Sequence, residues 1–476
     1  MLATCRDISV ASSAGKLADA AELARQCIAS HSLPVQIRAL VLQQLTLLEM
    51  ALHHNSAALE AQLAAIELEP KPTDMQLAVL AKLYDANQRY DEGLATLERL
   101  RANHAGTDDL NGPLGMAYYN ERGALLAATG RHEEAVASLT KGIALQPALA
   151  EPYRLRARER EALGDVAGAR ADYASFARWA RDGSIDAPTR ARLSQLKIDP
   201  AVERRHPFGS ANPLRESAAQ SLKAAQQALQ AATTPQDKAR AYGEISAHLD
   251  GMNRSEQALA AIDKAIALAP DDISLRQSKT TTLVALKRTA DAIALADPLL
   301  AKMRADAAAA VDPSAVYRTY IEASGSSAYA HMIRGEWAPA IAALEDVARA
   351  SPFYDQDYMA SLYLYVRARS GGAAPRNAFF DDYIGRNTVP LPGNYRRSIL
   401  LLMQGRATVD EVYLQAVLLP DSVAIQNALA ETWFMAAAYA HFVKHDEAAA
   451  RGYVTRLNDL QPYGTNEWTM VEQGAV

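Results

Sequence analysis

Apolar residues recur along this chain at steps of three and four, and the pattern itself repeats. Tyr119, Gly130, Ala135 and Leu139 return as Tyr153, Gly164, Ala169 and Tyr173, each 34 positions further on. Such steps place an apolar stripe on one side of a helix, and a glycine between two stripes marks a turn. The repeating unit therefore reads as two antiparallel helices. Leu77, Leu80, Ala81, Tyr84, Tyr90, Gly93 and Leu97 form a unit upstream, and Leu42, Leu45, Ala58 and Ala65, closed by Pro70, form a weaker one. The first unit holds Gly15, Leu17, Ala20 and Cys27. Downstream, Tyr242, Ile245, Leu249, Ala258, Ile262 and Ala265 resume the pattern; it degenerates through Leu283, Ala292 and Leu299. It is clear again at Ala328, Gly335, Trp337, Ala340 and Leu344, closed by Pro352, and last at Trp433, Ala437, Ala449 and Tyr453.

Two stretches interrupt it. Residues 181–213, rich in Pro and Gly, read as a helix-poor connector. Residues 370–394 open with Ser370-Gly371-Gly372 and read as an irregular insert. The predicted organisation is an N-terminal array over 1–180, the connector, and a C-terminal array over 214–476. Leu214–Ala232, Tyr395–Gln404 and Val409–Leu419 are predicted as single helices.

The 34-residue phase resembles the tetratricopeptide repeat, and the likeness covers most of the chain. It implies an all-α, right-handed superhelical solenoid in two arrays. Alanine and glycine stand at its tight helix contacts, and prolines close second helices because proline lacks the N–H needed there. The implied function is a non-catalytic scaffold that binds a partner protein or peptide in its concave groove. Tyr395 to Gly405 and Leu429 to Tyr439 are similar, in helix order and aromatic placement, to the C-terminal module of bacterial repeat lipoproteins. Those include outer-membrane adaptors that dock cell-wall hydrolases and proteases, which implies an envelope adaptor. A cytoplasmic peptide-binding chaperone or regulator is the alternative. An enzyme on a repeat platform is a third reading, weakened because neither interrupting stretch is long enough for a catalytic domain.

Composition narrows the partners. The net charge of −6 offers no concentrated basic surface for nucleic acid. No run of about 18 apolar residues suits a membrane span. The most apolar stretch, Ile37–Leu52, is broken by Arg38, Gln43, Gln44 and Glu49 and reads as a core helix. With seven Phe and four Trp, the core must be built mainly from Leu, Ala, Ile, Val and Tyr. Leu2-Ala3-Thr4-Cys5 matches the end of a bacterial lipoprotein signal, whose cysteine takes a lipid, without the basic and apolar regions that precede one. Either a signal was trimmed or the match is chance.

No catalytic, cofactor or metal motif is complete. Arg131-His132-Glu133-Glu134 lacks the second histidine of a zinc helix, and His132 reads as a packing residue. Ser370-Gly371-Gly372 lacks the lysine of a phosphate loop. Glu133-Glu134 and Asp271-Asp272 sit at helix starts, where they offset the helix dipole. Cys5 and Cys27 are nearly equidistant from a turn at Gly15, so a hairpin brings them opposite one another. They either form a disulfide, which implies an oxidising compartment and excludes a lipid on Cys5, or remain buried thiols. The first outcome suits a periplasmic or envelope-associated protein and the second a cytoplasmic one.

The resemblance also places side chains on the concave face. In the first array these are Lys82, Asp85, Asn120, Arg154, Arg158 and Glu161; in the second, Tyr329, Met332, Met359, Tyr363 and Arg367. Repeat clamps that grip a terminal carboxylate use Lys, Asn and Arg in this way, and the match here is partial. Arginine suits the role through paired bonds from its planar fork. The second set implies a more aromatic groove. The competing reading is a set of solvated helix faces.

The register makes a prediction. Ala135→Leu or Ala169→Leu should overpack a tight helix contact and cost roughly 1–3 kcal/mol. Chemical denaturation checks it, and unchanged stability in both variants would mean the register is wrong.

Overall fold

The computed structural model describes every residue except 1–2, 14–15, 31–32, 69–70, 105–108, 210, 351–352 and 392. The turn at Gly15 and the helix-closing Pro70 and Pro352 fall outside the described residues. Among those described, every regular element is helical. The chain forms two compact units, Met1–Pro200 and Ala201–Val476.

The N-terminal unit is a row of antiparallel hairpins. They are α1 (Ala3–Ser13) with α2 (Leu17–Ile28), α3 (Val35–Ala51) with α4 (Asn55–Glu67), α5 (Asp74–Ala86) with α6 (Tyr90–Ala102), α7 (Gly112–Ala128) with α8 (His132–Leu145), and α9 (Ala150–Ala162) with α10 (Val166–Trp179). Successive first helices α5, α7 and α9 touch one another and line an inner face. Ala135 and Ala169 are buried at the hairpin contacts. Cys5 and Cys27 are joined by a disulfide, with their Cα atoms 5.3 Å apart, which ties α1 to α2. The stretch expected to be a helix-poor connector begins as a cap. Within it, α11 (Ala187–Gln195) buries Leu193, and Ile185 and Ile198 join the same cluster beneath Tyr173, Phe176 and Ala177. Ile185, Leu193 and Ile198 supply the apolar contacts that the Pro and Gly content concealed. The short α12 (Pro200–Glu203) comes next.

The C-terminal unit begins with α13 (Pro213–Ala231) and continues as hairpins α14 (Pro235–Asp250) with α15 (Ser255–Leu268) and α16 (Ile273–Ala285) with α17 (Thr289–Ala309). After α18 (Pro313–Thr319) come α19 (Ile321–Arg334), α20 (Trp337–Ala350) and α21 (Phe353–Arg369). The insert expected to be irregular holds α22 (Ala378–Arg386), whose Phe380 and Tyr383 are buried. The unit ends with α23 (Tyr395–Met403), α24 (Val409–Val417), α25 (Ser422–Ala438), a π-helical turn (Tyr439–Lys444), α26 (Glu447–Leu460) and α27 (Asn466–Glu472).

One turn recurs throughout. The residue two before a second helix has positive φ: His53 (61°), Gln88 (61°), Gly130 (73°), Gly164 (79°), Asn253 (58°), Lys287 (64°) and Gly335 (72°). The next N–H then reaches back to a carbonyl five residues earlier, as in His54 to Glu49 (2.9 Å), Arg131 to Leu126 (2.9 Å) and Arg288 to Leu283 (2.9 Å). This closure satisfies a carbonyl that the helix end would leave unpaired.

The C-terminal unit also closes on itself. Helix α25 packs on α13, and α27 packs on α16 and α19. Gln426 accepts from the Leu214 N–H (2.8 Å) and donates to the Leu460 carbonyl (2.9 Å). The Tyr365 hydroxyl donates to the Ala475 carbonyl (2.8 Å). Gly464, at φ 80°, lies so close to Gly251 that an added Cβ would stand 2.7 Å from the Gly251 Cα. Glu467 is buried and accepts from the Tyr358 hydroxyl (2.5 Å). Nearby, Arg396 forks onto Glu431 at 2.9 and 2.6 Å. Burial first, and the Glu431 charge second, push the Glu467 carboxyl up to about 7.

The turn and the buried carboxyl can each be tested. Gln88→Gly should stabilise the protein by about 0.5–1 kcal/mol, because glycine adopts the left-handed turn without a Cβ penalty. Gly130→Gln should move stability the opposite way, and denaturant midpoints check both. Glu467 binds its proton more tightly folded than unfolded, so its contribution is complete below about 4.5 and is lost as pH rises to about 7. Glu467→Gln should therefore shrink the fall in melting temperature between pH 5 and pH 8, as calorimetry at the two pH values would show.

Candidate functional site

The inner face of the N-terminal unit is apolar at one end and charged at the other. In α3, Leu42, Leu45 and Leu48 turn inward, while Leu40 and Leu47 are 53% and 61% exposed. The stretch read as a core helix is thus apolar on both sides. Seven residues separate the two outward leucines, about two turns of helix, so they share a face. At the corresponding place in α5, Met75 is 61% exposed. A trough of about 330 Å³ runs between α1 and α3, lined by Ile8, Leu17, Gln44, Leu47, Leu48 and Ala51.

Further along, Lys82 is exposed and Asp85 half-buried. Burial raises the Asp85 carboxyl. Behind them in α7, Glu121 is pushed up to about 7, first by burial and then by the Asp85 charge, against the pull of Lys82. Its Oε1 is buried and makes no hydrogen bond among the described residues. Nothing in the spacing singled out Glu121. The available signal was a glutamate within the otherwise weakly polar run of α7.

The expected clamp is only partly assembled. Asn120 does not offer its amide to the groove: both polar atoms are buried, and the side chain packs on Gly142 in the space a Cβ there would take. Arg154 is engaged by Glu151 (Nε to Oε2, 2.9 Å). Arg158 is exposed. Both arginines act on Asp186, at the start of α11, whose carboxyl is held low first by hydrogen bonds from Thr189 and then by Arg154 and Arg158. Glu161 is taken by Arg192 of α11 (Nε to Oε1, 2.7 Å) and by the Tyr173 hydroxyl (3.2 Å). Lys82 and Arg158 are therefore the exposed cations of the predicted set.

The aromatic groove expected in the second array is interior instead. Tyr329 and Tyr363 are buried, as are Met332 and Met359. Burial raises the Tyr329 hydroxyl well above the ordinary tyrosine range. Helix α22 folds back on α21, so Tyr363 stacks on Phe380 with ring centres 5.1 Å apart and donates to Asp381 (3.0 Å). Arg367 is spent on the chain's own turn, donating to the carbonyls of Gly372 (3.1 Å) and Ala374. The spacing of these residues could not reveal that later helices cover them.

His132 also differs from its reading as a core residue: it is partly exposed and bonds Glu159 of the next hairpin at 2.6 Å. Asp272 caps α16, accepting from the Ser274 N–H (2.9 Å). Among the described residues, no group of three His, Cys, Asp or Glu side chains is placed to hold a metal, and no helix is long and apolar enough to cross a membrane.

No family model matches the chain, and no curated protein matches it. Solved structures of helical-repeat proteins do. A tetratricopeptide repeat protein from Parabacteroides merdae aligns over 60% of this chain and 98% of its own at 12% identity, with a TM-score of 0.24. The TPR2AB domain of yeast Sti1, solved in complex with pHSP90, aligns over 53% and 98% at 20% identity, with a TM-score of 0.21. Yeast Tom70 aligns over 82% and 88% at 12% identity, with a TM-score of 0.28. The architecture is carried by the chain's own 34-residue repeat and its recurring turn, and by these it is an all-α array of tetratricopeptide-type hairpins.

Proposed function

We propose that the N-terminal unit is a non-catalytic scaffold that binds an extended segment of a partner protein along its inner face. The exposed Leu40, Leu47 and Met75 carry this reading, because they stand at the repeat positions expected to face the groove, in helices that bury most of their other large apolar side chains apart from Val35 at the start of α3. Large apolar side chains of the partner fit the α3 and α5 end, and an acidic or free C-terminal end fits Lys82 and Arg158. Apolar anchors supply affinity, while the charges set register and direction. The C-terminal unit contributes less to such binding, since its own last helices occupy the corresponding face. The Cys5–Cys27 disulfide supports an oxidising compartment, and with it the bacterial envelope adaptor over the cytoplasmic chaperone or regulator.

A peptide array probed with the full chain would select binding segments, and titration of the best one tests the face. Leu40→Asp with Leu47→Asp should weaken binding about tenfold or more, or about 1.4 kcal/mol. Lys82→Ala with Arg158→Ala should weaken it less and flatten its salt dependence. Both variants should keep the wild-type melting temperature within a few degrees, as exposed positions carry little stability. Unchanged affinity in the folded leucine variant would move the site away from this face.

A further inference from the structure

The closure of the C-terminal unit leaves a cavity of about 320 Å³ between the array and the returning chain. Its size lies at the lower end of small-ligand clefts. Ser217 and Ser221 of α13 form one wall, His248 and Asp250 of α14 with Ser278, Thr281 and Thr282 of α16 form another, and Gly464 and Thr465 close it from the C-terminal side. Glu322 of α19 stands at the rim.

The hydrogen bonds already made decide what this lining can accept. The Thr282 hydroxyl donates to Asp250 Oδ2 (2.6 Å), and the Ser278 hydroxyl donates to Glu322 Oε2 (3.2 Å). Thr281 bonds Ser326 at 2.8 Å and reaches Glu322 at 3.4 Å. The Thr282 and Ser278 protons are spent on the carboxylates, so lone pairs are what these two hydroxyls have left to offer. Asp250 Oδ1 is buried without a close hydrogen bond among the described residues, although the Ser255 side chain at the start of α15 also acts on this carboxyl. Among the described residues, no Lys or Arg lines the cavity; the other titratable groups facing it are His248 and Tyr463. The lining thus places two carboxyls and the spare lone pairs of Ser278 and Thr282 in one cavity with no Lys or Arg to pair them, beside the donors of Asn427, Ser217 and Ser221. An ammonium group supplies three donors, no acceptor and the missing charge.

We propose that this cavity binds the ammonium end of a small alkylamine, with Asp250 at its depth and Glu322 at its rim. The amine is either a free diamine or a lysine side chain. Burial pushes both carboxyls up from the ordinary carboxylate range, so the site loses its charge earlier on acidification than exposed carboxylates would, and binding should weaken as pH falls toward that range while the amine stays protonated.

The test uses the full chain, titrated calorimetrically at 150 mM salt with putrescine, with N-acetyl-lysine methylamide and with the neutral 1,4-butanediol. At least one ammonium probe should bind with a stoichiometry of about one, and butanediol should not. Putrescine alone binding identifies a free diamine; the lysine amide alone identifies a partner's side chain. Asp250→Asn should weaken binding at least tenfold. Should that variant fail to fold, Ser221→Lys decides: its tethered ammonium should abolish probe binding and raise the melting temperature. Silence from both ammonium probes at millimolar concentration, equal binding of butanediol, or wild-type binding by the folded Ser221→Lys variant would overturn the proposal.

Discussion

Seven of the hairpins depend on one backbone closure. A carbonyl near the end of the first helix must find an N–H, and it finds one only if the chain takes a left-handed step before the second helix begins. That step fixes where the second helix starts and so brings a small residue such as Ala135 or Ala169 against its partner helix. Glycine takes the step at Gly130, Gly164 and Gly335, but His53, Gln88, Asn253 and Lys287 take it against a Cβ penalty. The surrounding hairpin holds them there.

Polar groups buried between the helices add specificity to this frame. Arg156 forks onto Asp172 at 2.8 and 2.7 Å, and Arg160 reaches the same carboxylate at 2.9 Å, which joins α9 to α10. Glu49, fully buried, draws Arg25 from the preceding hairpin and His54 from its own turn. In the C-terminal unit Asp357 gathers Tyr383, Asn394 and Arg397 at 3.0, 3.0 and 2.7 Å. Desolvation offsets much of the attraction in such pairs. Their use is in register, since a hairpin shifted along its neighbour would strand a charge in an apolar interior.

The two units put the same architecture to different ends. In the N-terminal unit, leucine and methionine remain outside at one end of the inner face, and α11 caps the other by drawing Glu161 onto Arg192. In the C-terminal unit, the last helices return across the array and convert much of that face into core. A small polar cavity is left there. The difference arises from the segments that come after the hairpins in each unit: a short cap in the first, several returning helices in the second.

The repeat, the helices and the juxtaposition of the two cysteines were legible in the residues because each depends on local spacing, whereas the spacing left open whether the cysteines pair. A 34-residue phase, an apolar stripe and two cysteines on either side of a turn need no knowledge of distant contacts. The inner face was legible only in part. Spacing assigns Asn120, Tyr329, Tyr363 and Arg367 to a face, but it cannot say whether another helix covers that face. The return of α25 and α27, the rise of the Glu121 carboxyl and the polar cavity at Asp250 arise from residues far apart in the chain, and the folding back of α22 on α21 from a contact that spacing does not mark. Tertiary structure alone decided these, because burial and desolvation depend on which distant surfaces meet.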